Sequence, residues 1–136
     1  MAREPLASAA PSLADFERLA DAAFAALPPE VRRACADLAL RIADFAPDEI
    51  LDEMGIEDPF ELTGLYDGIA LTERSVMHQP TGPDAVWLYR RPILEEWIER
   101  GDVGLDRLVA HVLVHEIAHH LGWSDDDIRA IDDWTE

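Results

Sequence analysis

The sequence predicts one domain that combines helices with a few short strands. Three observations support that class. Apolar residues recur at intervals of three and four near both ends of the chain, as on one face of a helix. The run Ala85-Val-Trp-Leu-Tyr89 has the β-branched and aromatic composition of a strand. No repeat or second composition regime interrupts the 136 residues, so no domain boundary is expected.

Residues 1–11 are mainly Ala, Ser and Pro and predict a flexible tail ahead of a domain at 12–136. Ser12 has the chemistry of an N-cap. Leu13, Phe16, Leu19, Ala20, Ala23, Phe24 and Leu27 then form one helical face, stopped by Pro28-Pro29, and Pro29 can open the next turn. Between Val31 and Phe45 both periods fit. Val31, Cys35, Leu38, Ile42 and Phe45 suit a helix, while Leu38, Leu40 and Ile42 alternate as in a strand.

Residues 44–61 carry eight carboxylates and no basic residue, around a short helical pattern (Ile50, Leu51, Met54) that ends at Gly55. This stretch predicts a negative surface patch. Gly64 to Thr72 reads as a short strand or hairpin arm. Ser75 to Asp84, with Pro80, Gly82 and Pro83, reads as a loop. After the strand at 85–89 a helix is expected from about Ile93 to Glu99, ending at Gly101. A longer one follows from Leu105 to Leu121, closed by Gly122, and a last begins at Ser124.

The long helix holds the most informative residues, His115-Glu-Ile-Ala-His119 within a longer HExxHxxGxxD. On a helix the two histidines stand one turn apart, with β-carbons about 6 Å from each other. Both imidazoles can therefore converge on one Zn²⁺ at about 2.0–2.1 Å. Glu116 sits beside the first of them, where a carboxylate can reach water at the metal and serve as general base. A helical wheel places His115, Glu116 and His119 on the face of Leu105, Leu108, Val109 and Val112. Three ionisable groups on a buried face would be costly without a metal to pair them.

For the third ligand, Asp125 is the better candidate. Gly122 can adopt the left-handed turn that brings residue 125 back beneath the histidines, and only 17 residues follow His119. Asp127 is next. The other acidic residues after Ser124 are accounted for by helix-start electrostatics. His111 is rotated off the site face, His120 points about 100° from His119, and His78 falls in the loop; none is assigned a role. Tyr66, Tyr89, Arg74, Arg90 and Arg91 are candidate oxyanion donors. For each, sheet packing or surface exposure is the favoured reading.

Composition narrows the partners. The 29 acidic and 11 basic residues give a net charge of −18, and the basic residues are all Arg and scattered. Nucleic acid is not an expected partner. The longest apolar runs fall far short of the roughly 20 residues that span a bilayer, and residues 1–11 lack an apolar core, so no membrane association and a cytoplasmic setting are expected. Cys35 is single and reads as a small buried hydrophobe.

The chain resembles the minimal-zincin, or zincin-like metallopeptidase, family of small bacterial proteins. Gly64-Leu-Tyr-Asp-Gly-Ile-Ala-Leu-Thr-Glu-Arg74, Val86-Trp-Leu-Tyr-Arg-Arg-Pro92 and the segment from His115 to Ile128 carry the likeness. It implies a single α+β zincin-like domain, a small sheet packed against the HExxH helix, and strand for residues 38–44. It also implies zinc peptidase roles for His115, Glu116, His119 and Asp125. The motif spacing is similar to metzincins with Asp as third ligand, yet no Met follows Met77 to supply their Met-turn.

The leading expectation is a zinc-dependent peptidase acting on peptide or protein substrate, with substrate extended along an edge strand near residues 85–89. A zinc nuclease of HxxxHxxxxxH spacing leaves Glu116 without a role and sets a charge of −18 against RNA. The alternative from another class is a non-catalytic, zinc-stabilised interaction domain whose acidic surface docks a basic partner.

Overall fold

The computed structural model describes residues 10–68, 84–123 and 126. Helix α1 spans Leu13–Ala25 and begins with a capping box: Ser12 Oγ accepts from the Asp15 amide at 3.1 Å, and Asp15 returns a bond to the Ser12 amide at 2.8 Å. Arg18, one turn on, pairs with Asp15. Phe16 and Ala20 are buried from this helix. Helix α2, Pro29–Ala34, starts on Pro29 at its first position, where the missing N–H costs no helical bond.

The ambiguous stretch divides after α2. Strand β1, Ala39–Ala43, follows, and the Ala39 amide donates to the Asp84 carbonyl at 2.9 Å. Pairing with a distant strand decides what periodicity left open. Helix α3, Asp48–Met54, ends on Gly55 at φ 70°, and a 3₁₀ turn covers Pro59–Glu61. Strand β2 is Gly64–Asp67 and strand β3 is Ala85–Tyr89.

Helix α4, Arg90–Arg100, leaves β3 with no loop between them. Its start lies three residues ahead of the expected Ile93, because Pro92 stands in the first turn, where amides have no helical acceptor anyway. Helix α5 spans Leu105–Leu121, as its periodicity predicts, and closes on Gly122 at φ 71°. Gly122 donates to the His119 carbonyl at 3.2 Å and Trp123 to the Ala118 carbonyl at 3.0 Å, the pair of bonds of a Schellman turn.

The sheet has the order β1-β3-β2, with β1 parallel and β2 antiparallel to β3. One face, with Leu40, Ile42, Val86, Leu88 and Tyr66, packs on the core built by α1 and α5, where Phe16, Val109, Leu113 and Ile117 are buried. The opposite face carries Leu65, Trp87 and Tyr89 against Leu51 and Leu62. Helices and a small mixed sheet thus form the α+β arrangement that the sequence predicts. Strand β3 is central, not an edge: both its sides are paired, so it cannot accept a substrate strand as expected.

No helix among the described residues is long and apolar enough to cross a membrane. At the other end of the chain, the Pro11 carbonyl accepts from Arg90 at 2.7 Å. The expected tail before residue 10 and the loop at 75–83 lie outside the described residues.

Candidate active site

Helix α5 builds the site. Its second half is buried at Val112, Leu113, Val114, Glu116, Ile117, Ala118 and His120, while His115 and His119 are exposed. The helical wheel is corrected here. Glu116 shares the buried face with Val109 and Val112, and the two histidines stand on its rim. The Glu116 side chain is 11% exposed, against 52% for that of His119. The imidazoles therefore face solvent, where a metal and a substrate can reach them, and only the carboxylate bears the cost of burial.

Strand β2 comes close to the helix because Gly64 has no side chain. A β-carbon there would meet Val112 Cγ1 at 2.8 Å and Glu116 Cγ at 3.2 Å. Two residues on, the Tyr66 amide faces the Glu116 carboxylate closely enough to favour its charged form. The pairing pattern accounts for this: Tyr89 donates to the Thr63 carbonyl at 2.9 Å, so the amides of Gly64 and Tyr66 point away from β3. Burial pushes the Glu116 carboxyl above the ordinary range, with His115 and the Tyr66 amide pulling back. A raised carboxyl suits a general base that must collect a proton and release it again.

The His115 and His119 rings lie with centroids 5.2 Å apart at 62°, and His119 Nδ1 is 3.3 Å from Glu116 Oε1. Two imidazoles one helical turn apart, both open to solvent, fit two corners of a tetrahedral zinc site. Among the described residues no group of three or more His, Cys, Asp or Glu side chains could hold a metal. Asp125 and Asp127 lie outside the described residues; Asp126 is helical.

The remaining candidates separate cleanly. Tyr89 is buried on the far sheet face among Ala46, Leu51 and Leu62, and burial, Asp67 and Glu116 push its hydroxyl up to about 12. Arg90 holds Asp44 at 2.7 Å, and Arg91 lies over the Phe45 ring at 5.6 Å. These three are engaged in the fold. Arg74 and His78 lie outside the described residues.

Tyr66 and His120 are joined in a way that no spacing foretold. The Tyr66 hydroxyl donates to Asp84 Oδ2 at 2.6 Å and lies 3.1 Å from His120 Nδ1. Asp84 was assigned only to the end of a loop. The legible signals were a histidine adjoining the motif and a tyrosine in the expected strand at 64–72, and neither identifies a carboxylate 36 residues before His120.

The acidic run lines a groove of about 510 Å³ with Asp48, Asp52 and Glu57 around Leu51, Ile56 and Pro59. It is separate from the motif helix. A family model described as zincin-like metallopeptidase matches residues 35–135. No curated protein matches the chain.

Proposed function

The chain belongs to the zincin-like metallopeptidase family, and from that premise we propose that it is a zinc-dependent peptidase with Glu116 as general base. The observation that carries this reading is the buried Glu116 carboxylate set between two exposed imidazoles on one helix. In this reading His115 and His119 hold Zn²⁺ and Asp125 completes the set, with Asp127 as the alternative. Bound zinc supplies Lewis acidity, polarising a carbonyl and making water acidic near pH 7.

The chain's own residues do the rest. Glu116 takes the proton of the attacking water on a carboxylate oxygen and returns it to the leaving amine. The Tyr66 amide favours the charged carboxylate, and burial beneath β2 keeps bulk water from levelling its basicity. Substrate lies extended along the outer side of β2, which among the described residues is an edge strand of the sheet and packs on the motif helix.

The test is cleavage of a peptide library by zinc-loaded protein and its Glu116→Gln variant. The variant is expected to keep zinc and lose about 10²-fold or more in turnover, the usual worth of a positioned base. An uncut library with zinc-loaded wild type, or equal cleavage by the variant, overturns the reading.

A further inference from the structure

Tyr66 is engaged at both of its polar ends. Its amide faces the Glu116 carboxylate, on the strand whose Gly64 would set a β-carbon 3.2 Å from Glu116 Cγ. Its hydroxyl closes a triangle with Asp84 Oδ2 at 2.6 Å and His120 Nδ1 at 3.1 Å, and those two atoms are themselves 3.1 Å apart. Asp84 is 8% and His120 4% exposed, so each would pay a desolvation cost if its partners were removed. The protons can be placed. The hydroxyl gives its one hydrogen to Asp84, so its oxygen can only accept from His120, which puts a hydrogen on Nδ1.

The three residues come from three places: Tyr66 from β2, His120 from the last turn of α5, and Asp84 from the residue ahead of β3. Asp84 is fixed in turn by its carbonyl, which accepts from the β1 amide of Ala39 at 2.9 Å. Gly68 leaves it room, since a β-carbon there would stand 2.4 Å from Asp84 Cγ. The Tyr66 and His120 rings meet edge to face, with centroids 5.3 Å apart. The triangle therefore ties β2 to the motif helix just where the strand's amide meets Glu116.

We propose that the Tyr66–Asp84–His120 triangle is a positioning device for Glu116, which pins Tyr66 against the motif helix so that its amide holds the carboxylate in one orientation. The catalytic consequence rests on the peptidase reading; the geometry does not. A base that must meet a water proton in line loses rate steeply when its orientation loosens. The three hydrogen-bonding groups are engaged with one another, and in this proposal their role is exerted through Glu116.

Tyr66→Phe removes the hydroxyl and keeps the ring and the amide; Asp84→Asn keeps the shape and removes the charge. Two readouts on the full chain, loaded with zinc, test the proposal: hydrogen exchange at the residue 66 amide, and kcat with KM on a cleaved peptide. Both variants are expected to keep zinc stoichiometry and to exchange amide 66 about tenfold faster, the size of one lost hydrogen bond, with the Trp87 amide unchanged. Turnover is expected to fall about tenfold with KM steady. Should Tyr66→Phe fail to fold, Asp84→Asn carries the comparison. Amide 66 as protected in the variants as in wild type, or a lowered Tm with kcat unchanged, overturns the proposal. A wild type that cleaves nothing while amide 66 responds overturns the peptidase reading and leaves the positioning of Glu116 standing.

Discussion

Gly64 faces Val112 so closely that a β-carbon on the glycine would stand 2.8 Å from the valine Cγ1. The same carbon would meet Glu116 Cγ and the Trp87 carbonyl oxygen, both at 3.2 Å. Gly64→Ala must push β2 away from the motif helix or distort it. The expected cost is about 1–3 kcal/mol of stability, typical of overpacking. Turnover should suffer more than folding, since the Tyr66 amide moves with the strand. Denaturant unfolding beside kcat checks this; an alanine variant as stable and active as wild type would show that the close approach is not required.

Glu116 affects metal-free stability with a definite sign. Burial raises its carboxyl, so its contribution is fully present below the ordinary glutamate range and lost as pH rises through the raised one. Gln cannot ionise, and it keeps the side chain's size and an acceptor oxygen. In chelator, the Tm of Glu116→Gln relative to wild type should climb as pH goes from about 4 to 7. A difference that stays flat across that range would contradict the assigned burial cost.

The two candidates for third ligand are separable by metal affinity. Asp125→Ala should weaken zinc binding by more than the roughly 10–100-fold that loss of an outer partner costs. Asp127→Ala should leave affinity within a few-fold. Competition with a zinc-selective chelator measures both, and the reverse ranking would assign the ligand to Asp127.

Cys35 should be inert in the native state. It is 1% exposed, and burial pushes its thiol up to about 11. At pH 8 only about one thiol in a thousand is then ionised. Iodoacetamide should leave the folded protein unmodified and label it fully in denaturant, as mass spectrometry would reveal. Rapid native labelling would place Cys35 outside the core.

The charge of −18 predicts how substrates are selected. Cationic peptides should be cleaved with higher kcat/KM than acidic ones at low salt, and the gap should close as the screening length drops to about 8–10 Å near physiological ionic strength. Equal rates for both charge types at low salt would remove the field from the account.

What the sequence made legible was local. Helix α5 has its predicted bounds because a continuous apolar period ends on a glycine that can take positive φ. Residues 31–45 stayed ambiguous because four helical residues and five extended ones share apolar positions that fit both periods. Only pairing with β3 separates them. Sheet order was out of reach for the same reason, and with it the place of β3 at the centre. At the site, motif spacing located His115, Glu116 and His119, but the wheel could not say which of them the core would cover. That depends on β2 crossing above Glu116 at a glycine. The triangle of Tyr66, Asp84 and His120 spans 54 residues of chain and has no periodic signature.

The turn at Gly122 gives the motif helix an unusual coupling. The carbonyl of His119 is one of the two acceptors that hold the chain reversal together. Fraying of the last turn consequently moves the backbone that carries that imidazole. Anything gripped by His119 slows the opening of the turn, and anything that opens the turn releases what His119 holds. The amides of Gly122 and Trp123 are thus an internal gauge of occupancy, readable by their exchange with solvent without a turnover assay.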